Sequence, residues 1–256
     1  MPTELRHLID DGQPYPVVRL IGPLDADAAP RARAALLDGL VEQPEALVVD
    51  VSAVDVTDPA AVGVFADIAR DTADWPAARL VICAPGGDGV WQSSGLPVWP
   101  SLAAAFTALG PPEPGNRLSL ELDPVVGAAR RARGLVVEAC ERWHLPDLIG
   151  PASIVVTEMV NNVVAHARTP MAVRMALHGG DLTVSVRDHD AKVPRFQGPV
   201  PPTSYGGRGL LLINAVSRQW GALRLDDGKV VWALIHRPGD ALATAAPAEA
   251  AGTEHA

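Results

Sequence analysis

The chain has 256 residues, of which 48% are hydrophobic and 20% charged, with a formal net charge of −9 and a pI of about 5.2. This length and composition fit two modest globular cores. An acidic chain without a basic stripe interleaved with aromatic residues argues against direct nucleic-acid binding. We find no leader-like segment after Met1 and no run of 18 apolar residues. We therefore expect a soluble, cytoplasmic protein that does not span a membrane.

The first part of the chain alternates between helical and strand patterns. Residues 28–41 have a helical pattern and precede the short apolar run 47–51, and the apolar run 80–84 predicts another strand. Between these strands, Asp58 can cap a helix that has Pro59 in its first turn. Strands that alternate with helices predict an α/β domain with a central sheet.

Composition predicts where the domains end. Residues 111–116 contain three prolines and predict a short, stiff linker after a first domain of residues 1–110. A second domain follows over residues 117–238 and opens with a strand-like segment. Residues 239–256 are rich in alanine and show no periodicity, which predicts a disordered tail. Cys83 and Cys140 lie in apolar segments of different domains, which favours two reduced core thiols.

The two predicted domains differ in charge. Residues 1–110 hold six Lys or Arg and 15 Asp or Glu, a net charge of −9, whereas residues 116–238 hold 15 and 11, a net charge of +4. Opposite charges on a short linker favour docking within the chain, or with homologous partners in trans. The acidic excess could equally serve only to keep the first domain soluble.

Three polar residues recur at intervals of four in the second domain. Glu158, Asn162 and His166 would lie along one stripe of a helix whose other positions are largely apolar. Burying such groups without partners costs about 1–3 kcal/mol each. The stripe therefore needs partners, either from the protein's own backbone or from a polar ligand with a metal ion, and the segment alone leaves both open.

Two further features follow this stripe. Residues 181–187 alternate as a strand does and lead directly into Asp188. After a connection rich in proline and glycine, the glycine cluster 206–209 precedes a new apolar segment at 210–213. Glycines before a helix let backbone N–H groups approach phosphate oxygens, and the helix dipole favours negative charge there. The ordered set of features favours a nucleotide site.

With these motifs, the region from about 117 to 238 resembles the GHKL (Bergerat-fold) ATPase domain, and in particular its anti-sigma-factor serine-kinase branch. The matching motifs are an N box of Glu158, Asn162 and His166, a G1-like Asp188, and a G2 box of Gly207, Arg208, Gly209 and Leu210. Trp220-Gly221 and the segment 228–233 also match that branch. The resemblance implies an α/β sandwich with helices on one face of a mixed sheet.

The resemblance also implies a role for each motif. Glu158 would be the catalytic general base that accepts the proton of a serine hydroxyl or a water. Asn162 would hold the Mg²⁺ that bridges the phosphates of ATP, and Asp188 would accept a hydrogen bond from the adenine amino group. His166 would organise the end of the helix. The remaining cofactor-binding residues, which would close over the phosphates, are Gly207, Arg208, Gly209 and Leu210.

This chain departs from the family in its G1 box. The family often has D-x-G-x-G there, whereas residues 188–192 read D-H-D-A-K and lack both glycines. The departure leaves open whether nucleotide is bound tightly or at all.

The first part of the chain, about residues 5–110, resembles a STAS domain, the fold of anti-anti-sigma factors. Residues 48–58 are similar to that family's strand-to-helix segment, and Gly63 fits its later glycine. Where the family carries a phosphorylatable serine directly after the aspartate, this chain has Pro59, which has no hydroxyl. Thr57 lies one residue early, where its side chain would point elsewhere. The resemblance implies a domain built from a mixed sheet with helices. Because of Pro59, this domain cannot be phosphorylated at the family's usual position.

Two functions from different classes remain open. The first is a partner-switching regulator of sigma-factor activity, whose ATP-binding serine-kinase half phosphorylates a separate STAS antagonist or holds a sigma factor. The second is a non-catalytic nucleotide sensor or scaffold that binds such partners. A homodimer, or docking of the STAS-like domain on the kinase-like domain within one chain, is compatible with both.

Overall fold

The computed structural model describes residues 4–73, 75, 79–86, 89–192 and 208–236. The predicted tail and the connection before Arg208, including Gly207, lie outside the described residues. Two five-stranded sheets form within this part of the chain. Each sheet packs helices against at least one face.

The first sheet is built from the N-terminal part of the chain. Its strands lie side by side in sequence order, and only the first pair is antiparallel, so the predicted mixed sheet is confirmed. The strands are β1 (Arg6–Asp10), β2 (Val17–Leu24), β3 (Ala46–Val56), β4 (Arg79–Cys83) and β5 (Val98–Trp99). The helices are α1 (Ala29–Val41), α2 (Gly63–Asp71) and α3 (Leu102–Leu109).

The turn after β3 differs in detail from the prediction. The Asp58 side chain accepts a hydrogen bond of 2.9 Å from the Ala60 N–H, as a helix cap does. The turn that follows, Pro59–Val62, is a 3₁₀ helix, and the α-helix begins only at Gly63. Pro59 and Ala60 are exposed. The segment that carries the serine in the STAS family is therefore a tight, solvent-facing turn here.

The second sheet carries three helices over one face. Its strands lie in the order β6-β7-β8-β10-β9. They are β6 (Arg117–Leu122), β7 (Met171–His178), β8 (Asp181–Asp188), β9 (Gln219–Leu225) and β10 (Gly228–Ile235). The helices are α4 (Ala128–Arg142), α5 (Ile149–Asn162) and α6 (Arg208–Val216). Residues of all three helices share one core cluster with the inner face of this sheet.

The two-domain α/β fold is confirmed, with one difference in the second sheet. A mixed sheet was expected, but all four described pairings are antiparallel. For two of these pairings the physical reason lies in the connections. Only the two residues Gly179-Gly180 join β7 to β8, and only Asp226-Asp227 join β9 to β10. Such short turns can join only antiparallel strands.

Alternate residues of β10 belong to different cores. Val231 and Ala233 face the helices of the second domain, whereas Val230 and Trp232 belong to the core cluster of the first domain. Trp232 is 4% exposed and meets Trp75 edge-on, with ring centroids 6.0 Å apart. The first domain therefore covers the face of the second sheet that is opposite the helices.

Ion pairs and the linker complete this docking. The Arg174 Nε–H donates to Glu42 Oε2 at 2.9 Å, and Arg187 Nη2 lies 3.3 Å from Asp38 Oδ1. In the linker, the Glu113 N–H donates to Glu45 Oε1 at 2.9 Å. The first two contacts join acidic side chains of the first domain to arginines of the second, and the third joins the first domain to the linker.

Both cysteines are buried and form no disulfide, which confirms the prediction of core thiols. Burial raises the pKa of Cys83 and of Cys140 to about 11. Neither thiol is therefore a reactive thiolate at neutral pH.

One helical run was not expected from the sequence. Pro146–Ala167 is long and apolar enough to cross a membrane, judged by length and composition alone. No uninterrupted apolar run of 18 residues predicted this segment, because Glu158 and Asn162 interrupt its apolar residues. Here its apolar residues, including Val155 and Val160, pack in the core of the second domain.

Candidate functional site

The polar stripe predicted from the sequence lies at the end of α5. The α-helix ends at Asn162 and continues as a π-helical turn, Val163–Ala167. Glu158 and Asn162 are half-buried and His166 is exposed, so the stripe is less buried than its apolar surroundings suggested. Single π-helical turns inside helices are frequent at functional sites, because the wider turn redirects the residues that follow.

A cavity of about 1170 Å³ opens beside this helix end. Five of the predicted site residues line it: Asn162, His166, Asp188, Gly209 and Leu210. They come from α5, the π-helical turn, the end of β8 and the start of α6. Segments that are far apart in the sequence therefore meet around one cavity of the size that small-molecule sites have.

Glu158 is not among the residues that line the cavity, but it lies next to Gly209, which does line it. A Cβ atom built on Gly209 would lie 2.7 Å from Glu158 Oε2 and 3.7 Å from Asn162 Nδ2. The first turn of α6 therefore lies directly against the Glu158 carboxylate, at a distance that leaves no room for a side chain. The positive end of the helix dipole favours a carboxylate at this place.

Asp188 is fixed at the other side of the cavity by a lysine. It is the last residue of β8 and is 1% exposed. Its Oδ1 accepts hydrogen bonds of 2.8 Å from the Asp190 N–H and from Lys229 Nζ. Lys229 also donates to the Asp190 carbonyl oxygen at 2.8 Å. A buried carboxylate is thus paired with a buried ammonium group, as burial of either charge requires.

The residue before this lysine makes the close approach of the strands possible. Gly228 has a φ of +158°, and a Cβ atom there would lie only 2.0 Å from the Asp188 carbonyl oxygen. The backbone at Asp188 and His189 therefore passes against Gly228. Gly228 and Lys229 together shape the corner of the cavity that holds Asp188.

No site role was predicted from the sequence for the charged residues around Asp188. Asp190, Lys192, Arg224 and Lys229 all line the cavity. A signal for Lys229 was available, because period-two alternation places it on the same face of β10 as the core residues Val231 and Ala233. A lysine in such a position requires a buried partner.

Two predicted residues are less completely described. Gly207 lies outside the described residues. Arg208 begins α6, but its side chain is not among the described ones. The closing of the G2 box over a ligand therefore stays a prediction.

Among the described residues, one side chain could bind the Mg²⁺ that the resemblance implies. Over the described ranges, no group of three or more His, Cys, Asp or Glu side chains could hold a metal ion. Asn162 places a carboxamide at the cavity wall. A single oxygen ligand of this kind fits Mg²⁺, because Mg²⁺ commonly takes one or two protein ligands and completes its coordination shell with phosphate oxygens and water.

Fold and site together define a two-domain α/β protein in which a small mixed-sheet domain covers the back of a second sheet with a ligand-sized cavity at its helix face. Residues 9–89 match the STAS domain family, and residues 123–235 match the histidine kinase-like ATPase domain family. In chain order, a STAS domain is therefore followed by a histidine kinase-like ATPase domain.

Individual relatives cover parts of the chain. The uncharacterized protein SCO4941 of Streptomyces coelicolor is 37% identical over 79 residues, which are 29% of this chain and 75% of that protein. The structure of the RsbU and RsbW domains of Rv1364c from Mycobacterium tuberculosis is 23% identical with a TM-score of 0.36, over 50% of this chain and 32% of that one. An anti-sigma factor antagonist from Mycobacterium paratuberculosis is 25% identical with a TM-score of 0.34, over 42% of this chain and 96% of that one.

Proposed function

We propose that this protein is a partner-switching regulator of sigma-factor activity whose ATPase domain binds Mg·ATP and phosphorylates a serine of a separate STAS protein. One observation carries the proposal: the start of α6 brings Gly209 against Glu158 and Asn162, at the wall of the cavity that also holds Asp188. This arrangement supports the proposal, because described residues of the N box, the G1 segment and the G2 box lie around one space.

Each predicted site residue would have a separate role in binding or catalysis. Asp188 offers a fixed carboxylate for the amino group of adenine. Asn162 would hold Mg²⁺, which neutralises phosphate charge when it is bound. Glu158, beside the first turn of α6, would accept the proton of the attacking serine hydroxyl. Phosphoryl transfer depends chiefly on such positioning and charge neutralisation.

The attached STAS domain supports a substrate from another chain. Its acceptor position is Pro59, which has no hydroxyl. The domain also packs on the face of the second sheet opposite the helices, so the sheet stands between it and the cavity. We infer that the domain is a fixed, non-phosphorylatable part of the regulator, and that the phosphoryl acceptor belongs to a separate protein.

The second candidate is a non-catalytic scaffold, and two observations favour it. Lys229 already pairs with Asp188, and the G1 segment lacks both glycines of the family pattern. If this pairing closes the base site, the two domains serve only to bind protein partners. A cytoplasmic location belongs to both candidates.

Calorimetric titration with Mg·ATP separates the two candidates. The kinase proposal expects binding that Asn162→Ala weakens, whereas the scaffold expects none. Transfer of labelled phosphate to a STAS protein with an intact D-S-S-G serine then tests catalysis. Glu158→Gln should abolish transfer, and Glu141→Gln, an exposed glutamate on α4, is the matched control that should not. If the protein binds Mg·ATP but transfers no phosphate to such an acceptor, and Glu158→Gln gives the same result, the kinase proposal is wrong.

A further inference from the structure

The lysine at the start of β10 is the most constrained cation in the cavity wall. Lys229 is 7% exposed. Its ammonium group lies 2.8 Å from Asp188 Oδ1, 2.8 Å from the Asp190 carbonyl oxygen and 3.7 Å from Asp190 Oδ2. Three oxygens of the G1 segment therefore surround one Nζ. No other described side chain binds both Asp188 and Asp190.

A lysine in a nucleotide cavity usually suggests a contact with phosphate. The position of Lys229 argues against that role. Its hydrogen bonds go to Asp188 and Asp190, and Lys229 stands directly opposite Asp188 in the pairing of β8 with β10. The residue opposite it on β9 is Arg224, which lines the same cavity but is exposed. Arg224 is thus the cation of this pair that a phosphate could reach.

Removing the Lys229 charge would leave the G1 segment with unbalanced acids. Asp188 is buried, and Asp190 is half-buried two residues further on. Without the ammonium group, the two carboxylates would repel each other, and the buried one would lose its charged partner. The segment also lacks the two glycines of the D-x-G-x-G pattern, and the contacts of Lys229 are among those that hold Asp188 and Asp190 in place.

We propose that Lys229 is a positioning residue for base recognition: it holds Asp188 through Oδ1 so that the remaining oxygen can accept the hydrogen bond of the adenine amino group. The inference rests on the proposed nucleotide binding and adds to it the residue that sets base affinity and selectivity. A purine with a carbonyl at position 6 presents an acceptor to a fixed carboxylate and is rejected. The preference for adenine therefore depends on a residue that does not touch the phosphates.

Calorimetry with adenosine, ATP and GTP tests this assignment. Lys229→Met should weaken the binding of adenosine and of ATP by the same factor, about tenfold or more. The reason is that both ligands lose the hydrogen bond from the adenine amino group to the charged Asp188 carboxylate. It should also narrow the preference for ATP over GTP. Arg224→Met, which removes the cation that a phosphate could reach, should weaken ATP binding more than adenosine binding. The matched control is Arg142→Met, an exposed arginine on α4 outside the cavity, which should change neither affinity. Circular dichroism and thermal unfolding check that each variant is folded.

The outcomes separate this inference from the function on which it rests. Wild-type protein that binds neither adenosine nor ATP overturns both. If the wild type binds nucleotide and Lys229→Met binds it with the same affinity, only the positioning role is overturned. A variant that loses affinity for ATP but not for adenosine also overturns that role, and it would assign Lys229 to the phosphates. Should Lys229→Met fail to fold, Lys229→Arg, which keeps the charge but not the ammonium geometry, should show the same parallel loss for adenosine and ATP.

Discussion

The two faces of the second sheet differ in chemistry although they come from alternate residues of the same strands. On β8, Arg187 points to the first domain and pairs with Asp38, whereas Asp188 points into the cavity. On β10, Trp232 lies in the first domain's core and Lys229 lies at the cavity. One face is sealed by another domain, and the other ends in an open cavity lined by both charged and apolar side chains. The sheet thus separates a surface buried between the domains from the surface that we propose as the ligand surface.

The largest expected effect comes from breaking the sealed face. Trp232→Ala should destabilise the protein by about 3–5 kcal/mol, because it removes a buried indole from the packing between the domains. Chemical denaturation measures the change. Ile154→Ala, on the exposed side of α5, is the matched truncation and should change stability by less than about 0.5 kcal/mol. Equal losses in both variants would contradict the sealed interface.

A smaller effect is expected on the ligand face from Gly209→Ala. The added methyl group would lie 2.7 Å from Glu158 Oε2, so the carboxylate must move. We expect phosphoryl transfer to fall by about tenfold, since a displacement of this size disturbs a positioned general base. The matched control is Gly150→Ala on α5, where an added Cβ atom meets nothing within 4 Å. Unchanged transfer in Gly209→Ala would mean that this contact has no part in the reaction.

The sealed face should also respond to acid. Burial and, next, the nearby positive charge of Arg117 lower the pKa of His178 on β7. The unfolded chain therefore takes up this proton more readily than the folded protein does. Stability should be complete above the unfolded value of about 6.5 and fall as the pH drops through it towards the folded value. Denaturation at pH 5.5 and 7.5 measures this, and His178→Gln should reduce the difference; an unchanged difference would assign the acid response to other groups.

The smallest expected effect has the opposite sign. Gly134 lies within α4, and a Cβ atom there would meet nothing within 4 Å. Gly134→Ala should stabilise the protein by about 0.5–1 kcal/mol through helix propensity alone. Thermal unfolding measures it. Since Gly134 belongs to neither face's specific contacts, nucleotide binding should not change, and a loss of binding would reveal a contact that the structure does not describe.

Local patterns made the fold predictable. The N-box spacing, the strand before Asp188 and the alternation in the first domain all depend on neighbouring residues, so the sequence alone could indicate both families. The antiparallel second sheet was harder, because strand direction depends on which strands pair and on two short turns. The 3₁₀ turn at Pro59–Val62 was missed for a similar reason, since the cap and the proline suit either type of helix.

The site was predictable only where its residues belong to motifs. Asn162, Asp188 and Gly209 could be named in advance, but the contact of Gly209 with Glu158 depends on how α6 packs on α5. The pairing of Lys229 with Asp188 depends on the register between β8 and β10. Neither relation appears in the spacing of residues along the chain, and both decide how the cavity is charged.

The core of the first domain has a consequence for how the whole chain unfolds. That core does not stop at the linker, since it continues into Leu225, Val230 and Trp232 of the second sheet. An ATPase half expressed by itself would expose this apolar surface to water and would be prone to self-association. The two domains therefore share one core. We expect them to unfold together, in a single thermal transition.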